Sequence, residues 1–262
     1  MLVNFITYLH INQFSPAMIA TYMTAISYMS KLNGCDDHST SFIVSKLLCA
    51  IQRKGAAPDM RLPIQLDLLH KLVAACETIS GEDYIIHLLK AMFLLAFHAL
   101  LRVSEFTTTD PSFSETTLQL ADCYFSKENN VIKSMDIHLK HFKGNTSRAA
   151  VVISIKKSGN VAHCPVRAML LYLTYRSKIG GPLFIMPNKT AVTRAFFARK
   201  LSTALIHTGV ENPSRFKSHS FRIGSATSMA SKGMSDTEIQ RMGRWNSNAF
   251  KRYIRIPSFD SK

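Results

Sequence analysis

The amino-acid sequence predicts a mainly α-helical protein with one small antiparallel β-sheet. Apolar residues recur at three-to-four spacing over most of the 262 residues, and short β-rich runs occur only between residues 117 and 155. A stretch with Pro58, Pro63 and small residues interrupts this periodicity. We therefore expect a helical domain over residues 1–57, a linker over 58–63 and a larger domain over 64–262.

The N-terminal domain is expected to contain helices only. The segment from Leu2 to Leu9 is short and apolar, and Pro16 after Ser15 is typical of the start of a second helix. Gly34 is expected to end that helix. A third helix is predicted over residues 42–52.

The larger domain is predicted to begin with two long helices, over residues 64–78 and 83–101. Strands are predicted at residues 117–120, 133–141 and 149–155, and the segment FKGNTSR (142–148) is expected to close the last two into a hairpin. Helical periodicity then returns over residues 166–176, 194–207, 220–231, 237–242 and 249–254.

The chain is strongly basic, with 32 Lys and Arg against 17 Asp and Glu and a net charge of +15. From residue 191 onward there are 13 basic and four acidic residues, so the surplus is concentrated in the C-terminal part. Such a charge favours an anionic partner, nucleic acid first and an acidic membrane surface second.

Several other classes of protein are disfavoured. The five cysteines are scattered without a CxxC pair, which indicates reduced intracellular thiols rather than a zinc knuckle or disulfides. The most apolar stretch, residues 84–101, contains His87, Lys90 and His98 and predicts a buried helix, not a membrane span. No GxxxxGK[ST], HExxH or GxSxG motif occurs. We expect a soluble protein with no metal and no small-molecule cofactor.

Two short motifs place basic residues near predicted helix ends. In SHSFR, a helix capped by Ser218 or Ser220 would carry His219 and Arg222 near its positive end, which favours a phosphate. An HxxR pair alone is more often a solvated helix start than a functional site. In LLRVSEF, Arg102 is costly to bury unless it is paired with Glu105, and the alternative is an ordinary structural ion pair.

A third motif surrounds a single tryptophan. In GRWNSNAFKRYIR, Trp245 stands eight residues before Tyr253 within a cationic run. Phe250 and Ile254 are four residues apart and are expected to pack one face of a short helix against the core. Tyr253 would then lie next to that face. The alternative is a half-buried structural tyrosine.

In this order, the three elements resemble the conserved boxes of the tyrosine recombinase/integrase family, namely Arg102 with Glu105, His219 with Arg222, and Trp245 with Tyr253. The resemblance covers residues 62–255. The wording LLRVSEF, SHSFRIGSA and MGRWNSNAFKRYIR is most similar to the eukaryotic branch in DIRS-like and Crypton mobile elements. It implies a helical core-binding domain that clamps DNA, followed by a catalytic domain with the DNA breaking-rejoining fold.

The resemblance also implies an activity, namely site-specific DNA recombination through a 3′-phosphotyrosine without metal or ATP. Tyr253 would be the nucleophile, Arg102 and Arg222 would stabilise charge on the phosphate, and His219 would assist proton movement. Trp245 would donate its indole N–H near the phosphate, while Glu105 would orient the residues around it.

The family also places a catalytic lysine in the turn of a β-hairpin between the first two boxes. Lys143 stands at the start of the predicted turn, so it inherits the role of protonating the leaving 5′-oxygen. Lys140 is the second candidate, and on a strand it would have to point to the correct face.

Some features depart from phage and bacterial members of the family. There the tyrosine usually follows the Trp or His by one more residue. Nine residues follow Tyr253, fewer than a long exchanged C-terminal helix needs, and the N-terminal domain is expected to be short by a helix.

The partners implied by the resemblance are double-stranded DNA and further copies of the chain, from dimer to tetramer on DNA. A nuclear location is expected in a eukaryotic host, and otherwise an intracellular location with DNA. Two alternatives remain, a catalytically silent DNA-binding protein derived from a mobile element and a topoisomerase-like relaxing enzyme.

Overall fold

The fold is described from a computed structural model over residues 1–55, 59–112, 114–145 and 149–255. The chain divides into two compact units, Met1–Met60 and Arg61–Lys262. Their boundary lies within residues 58–63. Each unit has its own hydrophobic core.

The first unit contains the helices α1 (Leu2–Ile11), α2 (Pro16–Leu32) and α3 (Phe42–Gly55). The hydroxyl of Ser15 accepts a hydrogen bond from the backbone N–H of Met18 at 3.2 Å, so α2 begins with the predicted cap. All three helices contribute to one core, formed by Ile6, Leu9, Ile19, Met23, Val44 and Ile51.

The helices of the second unit are α4 (Leu66–Ile79), α5 (Asp83–His98), α6 (Val103–Phe106), α7 (Pro165–Tyr175), α8 (Arg194–His207), α9 (Ser220–Ser231) and α10 (Asp236–Gly243). Helix α5 is the central one, since it packs against α4, α7 and α9. Its end at His98 comes before the predicted residue 101, because Leu100 adopts a left-handed backbone with φ 46°. No helix in the described part of the chain is long and apolar enough to cross a membrane.

The described residues form an antiparallel sheet in the order β1 (Cys123–Glu128), β2 (Val131–Leu139) and β3 (Val151–Lys156). The last two strands confirm the predicted hairpin. The strand predicted at 117–120 is wrong, because that segment makes only an isolated bridge and runs into a 3₁₀ turn, Leu120–Asp122. Instead, β1 is joined to β2 by Asn129 and Asn130, which both have positive φ and form a two-residue hairpin turn.

The connection from β2 to β3 covers residues 140–150. Residues 146–148 of the predicted turn lie outside the described part of the chain. The side-chain amide of Asn145 donates hydrogen bonds to the carbonyls of Lys140 at 2.8 Å and Ala149 at 3.0 Å. These bonds bring the two arms of the loop together.

The start of α9 is fixed by a close approach of two backbones. The N–H of Ile64 donates to the carbonyl of Ser220 at 3.0 Å. A Cβ atom on Gly224 would lie 1.7 Å from the Ile64 carbonyl oxygen, so only glycine fits there. The first turns of α9 are therefore held tightly against the chain that leads into α4.

Candidate active site

The HxxR motif lies at the N-terminal end of α9. His219 is the residue immediately before the helix and Arg222 lies in its first turn. The predicted cap by Ser218 or Ser220 is wrong, because His219 itself holds the capping position and the hydroxyl of Ser220 accepts from the backbone N–H of Lys217 at 3.0 Å. Both side chains of the pair nevertheless lie at the positive end of α9.

Arg222 is completely buried. Its Nη1 donates to the carbonyl of Leu100 and its Nη2 to the carbonyl of Gly243. Burial, followed by the charges of Arg102 and Arg244, lowers the pKa of Arg222 to about 9. A guanidinium has five N–H donors, and the Nε–H finds no acceptor among the described residues. At least one N–H donor of Arg222 is therefore unpaired within the described residues.

Arg102 and Glu105 form the ion pair that the sequence predicts. Nη1 of Arg102 lies 2.9 Å from Oε1 of Glu105, and the backbone N–H of Arg102 donates to Oε2 at 2.8 Å. The Arg102 side chain is 20% exposed, whereas that of Glu105 is 1% exposed. The carboxylate is thus a buried support, and the guanidinium faces the surface.

The segment after α10 brings the third motif to Arg222. The guanidinium carbon of Arg222 lies 4.1 Å from the centroid of the Trp245 ring. A Cβ atom on Gly243 would lie 1.6 Å from that ring, so the absence of a side chain lets the indole fold back. Trp245 stacks in turn on Tyr253, with ring centroids 5.4 Å apart and an interplanar angle of 26°.

Tyr253 ends a 3₁₀ helix, Asn248–Tyr253, at the position of the predicted short helix. Phe250 is completely buried and anchors this turn. The ring of Tyr253 lies 4.9 Å from that of His219, measured between centroids. Its backbone carbonyl accepts from the hydroxyl of Thr227 in α9 at 3.0 Å. The half-buried tyrosine therefore lies between the Trp245 and His219 rings.

The hairpin loop approaches the same segment. The Phe142 ring lies 6.0 Å from the guanidinium carbon of Arg244, and a Cβ atom on Gly144 would lie 3.2 Å from the side-chain nitrogen of Asn246. Lys143 is exposed between these two loop residues. The loop thus carries Lys143 alongside the Arg244–Asn246 segment.

Lys140, the second candidate in the hairpin, has a different environment. Its Nζ lies 2.6 Å from Oδ1 of the buried Asp122. Hydrogen bonding and attraction by Asp122 raise the pKa of Lys140. This ion pair holds Lys140 at the base of the loop.

The structure therefore brings Arg102, Glu105, His219, Arg222, Trp245 and Tyr253 together, with Lys143 on the neighbouring loop. Sequence reasoning assigned no role to two residues that hold this arrangement, Thr227 and Arg244. Thr227 lies beyond the quoted motifs, and Arg244, although it stands within GRWNSNAFKRYIR, makes contacts that only the tertiary fold creates. Among the described residues, no group of three or more His, Cys, Asp or Glu side chains is placed to bind a metal.

Solved structures share this fold at low sequence identity. The Tn1549 transposon integrase in complex with circular intermediate DNA matches with a TM-score of 0.59 and 16% identity, covering 98% of this chain and 81% of that one. The lambda integrase dimer bound to a COC′ core site matches with a TM-score of 0.59 and 12% identity, covering 100% and 65%. The XerH site-specific recombinase bound to difH substrate matches with a TM-score of 0.54 and 15% identity, covering 93% and 67%.

No curated protein sequence matches the chain. The profile of the phage integrase family matches residues 64–256, which include all three motifs. The fold is that of a tyrosine recombinase catalytic domain preceded by a helical unit. The chain belongs to the phage integrase family of tyrosine recombinases.

Proposed function

We propose that this protein is a site-specific DNA recombinase that cleaves and rejoins DNA through a 3′-phosphotyrosine at Tyr253. The observation that carries the proposal is the position of Tyr253, stacked on Trp245 beside His219, while Trp245 covers the buried Arg222. A tyrosine next to a cationic, donor-rich site is suited to attack a phosphodiester.

In the first step the Tyr253 oxygen attacks the scissile phosphorus. A bond forms between that oxygen and phosphorus, and the bond to the 5′-oxygen of the next nucleotide breaks. Charge builds up on the non-bridging oxygens, where Arg102 and Arg222 supply fixed positive charge and N–H donors. The phosphotyrosine retains the energy of the broken bond, so attack by a 5′-hydroxyl rejoins the strand without ATP.

Two groups would handle the protons of this step. His219 lies beside the tyrosine ring and accepts the phenolic proton during attack. Lys143 donates a proton to the leaving 5′-oxygen, which is consistent with its exposed position on the loop next to Arg244–Asn246. Trp245 packs against Arg222 and offers its indole N–H near the phosphate.

The partners proposed for this chain are double-stranded DNA and other copies of itself. The similar proteins named above were solved on DNA, the lambda integrase as a dimer. The net charge of +15 supports binding to a polyanion, with an affinity that falls as salt rises. Nuclear location and origin in a DIRS-like or Crypton element remain predictions from the wording of the motifs.

The test of this proposal is to trap the covalent intermediate. Purified protein is incubated with a pool of duplexes in which a nick just beyond the scissile phosphate lets a short 5′-hydroxyl strand diffuse away after cleavage. We expect a protein–DNA adduct that survives denaturant with the wild type and with Tyr28→Phe, an exposed tyrosine of the first unit, but not with Tyr253→Phe.

Other outcomes of the trapping experiment would overturn the proposal. DNA binding without any adduct would favour a catalytically silent DNA-binding protein. Relaxation of a supercoiled plasmid by the same tyrosine, with no exchange between paired sites, would favour a topoisomerase-like enzyme. An adduct that persists in Tyr253→Phe would assign the chemistry to another residue.

A further inference from the structure

We infer that Arg244 is a positioning residue that couples the Arg102–Glu105 pair to the Trp245–Tyr253 segment. The inference rests on the proposed function, because it assigns Arg244 a part in DNA cleavage. Arg244 is 7% exposed and directly follows the last residue of α10, immediately before Trp245. It is separated from Glu105 by 139 residues of sequence, so only the tertiary fold brings the two together.

The Arg244 guanidinium contacts both the carboxylate and the end of α5. Its Nη2 donates to Oε2 of Glu105 at 3.0 Å and to the carbonyl of Leu100 at 3.0 Å. Its Nη1 lies within hydrogen-bond distance of the carbonyls of Ala99 at 3.2 Å and Met242 at 3.3 Å. One planar cation thus fixes three separate pieces of chain, since its donors have a rigid geometry.

The backbone conformation of Arg244 favours glycine, which indicates that the contacts of the arginine side chain are needed at this position. Arg244 has φ 55° and ψ 48°, the left-handed conformation in which helices usually end on glycine. Glycine would adopt it with less strain. An arginine here is stable because its buried contacts offset that strain, and the left-handed turn directs it towards α5.

Arg244 also shares an acceptor with Arg102 and with Arg222, the two arginines proposed to stabilise charge on the phosphate. Oε1 of Glu105 accepts from the Arg102 guanidinium, and Oε2 accepts from the Arg244 guanidinium and from the backbone N–H of Arg102. The carbonyl of Leu100 accepts from both Arg222 and Arg244. The three guanidiniums and one carboxylate leave a positive surplus at the site. Without Arg244, Oε2 of Glu105 would lose its guanidinium partner, so the carboxylate would attract the Arg102 guanidinium more strongly and draw it away from the phosphate.

The decisive variant is Arg244→Lys, which retains the charge but loses the planar fork. The matched control is Arg241→Lys, the same substitution at an exposed position of α10. For each protein we would measure the rate of adduct formation on the nicked duplex at saturating protein, the dissociation constant for intact duplex, and the melting temperature.

We expect Arg244→Lys to form the Tyr253 adduct at least ~30-fold more slowly than the wild type, with a dissociation constant within ~3-fold. Arg241→Lys should match the wild type in both. A slow chemical step with unchanged binding is the signature of a positioning role, because a fold that was merely weakened would lose binding as well. Arg244→Gly, which relieves the backbone strain, should be slower still.

Adduct formation by Arg244→Lys within ~3-fold of the wild type would overturn the inference, and so would equal losses of rate and binding. If Arg244→Gly does not fold, the lysine variant still decides the question. If the wild type itself forms no adduct, the proposed function fails. If the wild type reacts and the lysine variant reacts equally fast, only the role of Arg244 fails.

Discussion

Charged side chains are buried and hydrogen-bonded in one region, the network of Glu105, Arg222 and Arg244, whereas the charged side chain of Lys143 in the hairpin loop is exposed. In the network, Glu105, Arg222 and Arg244 are at most 7% exposed and each has at least two hydrogen-bond partners. In the loop, Lys143 is exposed, and the side-chain amide of Asn145 donates to the carbonyls of Lys140 and Ala149. The loop contacts the Arg244–Asn246 segment, and Arg244 itself belongs to the network.

This difference separates two requirements of phosphoryl transfer. Stabilising charge that develops on phosphate oxygens requires donors already fixed before the reaction, and a buried network supplies them without reorganisation. Donating a proton requires a group that reaches one leaving atom. We therefore expect substitutions in the network to change both stability and activity, whereas substitution of Lys143 should change activity alone.

The largest effect is expected from Arg222→Ala. It removes a buried cation and its donors, so cleavage of the nicked duplex should slow by about 10³-fold. It also leaves the carbonyls of Leu100 and Gly243 without this donor, which should lower the free energy of unfolding by about 2 kcal/mol. Arg199→Ala, at an exposed position of α8, is the control for loss of charge. Cleavage of Arg222→Ala within ~10-fold of the wild type would contradict the role of the network.

Lys143→Ala should slow cleavage by about 10²-fold while the melting temperature stays unchanged. A duplex with a 5′-sulfur leaving group should restore the rate, because a thiolate leaves without a proton. Lys140→Ala should instead lower the melting temperature and leave the cleavage rate unchanged, since it leaves the buried Asp122 without its cation. Rescue of Lys140→Ala, and not of Lys143→Ala, by the sulfur substrate would transfer the role to Lys140.

A smaller effect, on the pH dependence of stability, is expected at the end of α5, next to the carbonyls that accept hydrogen bonds from Arg222 and Arg244. Burial, followed by the charges of Lys232 and His70, lowers the pKa of His98 from 6.5 to about 4. Because the unfolded chain binds this proton more readily, the stability from neutral His98 is present above pH 6.5 and is lost as the pH falls towards 4. The free energy of unfolding should decrease by about 1 kcal/mol between pH 7 and about 5.5 from this group.

Urea unfolding at the two pH values tests this expectation. The pH dependence should be reduced in His98→Gln by that amount, and left unchanged in His10→Gln, an exposed histidine of α1. Equal pH dependence in the wild type and His98→Gln would show that His98 is not held neutral by the fold.

Local signals predicted most of the helical framework. The spans predicted for α8 and α9 agree with the structure, because apolar spacing and residues such as Thr193, which caps α8 at 3.1 Å from the N–H of Phe196, act within one turn. The strand β1 was missed because most of its residues are exposed and lack a clear alternation. The pair Asn129-Asn130 was the usable signal, since asparagine tolerates the positive φ of a tight hairpin turn.

The candidate site was predictable only in its motifs. Arg102 with Glu105 and Trp245 with Tyr253 can be found by spacing. Arg244 cannot, because its role depends on a left-handed turn and on a contact with Leu100, 144 residues away in sequence. The role of such a residue depends on contacts between segments that are distant in sequence, and no local sequence pattern predicts those contacts.

The most direct test of the account is to identify the amino acid joined to DNA. The trapped adduct is digested with nuclease and protease, and the peptide that retains a nucleotide is sequenced by mass spectrometry. The account predicts a nucleotide 3′-phosphate on Tyr253, and no modified peptide from Tyr253→Phe. A nucleotide on any other side chain, or attached through a 5′-phosphate, would contradict it.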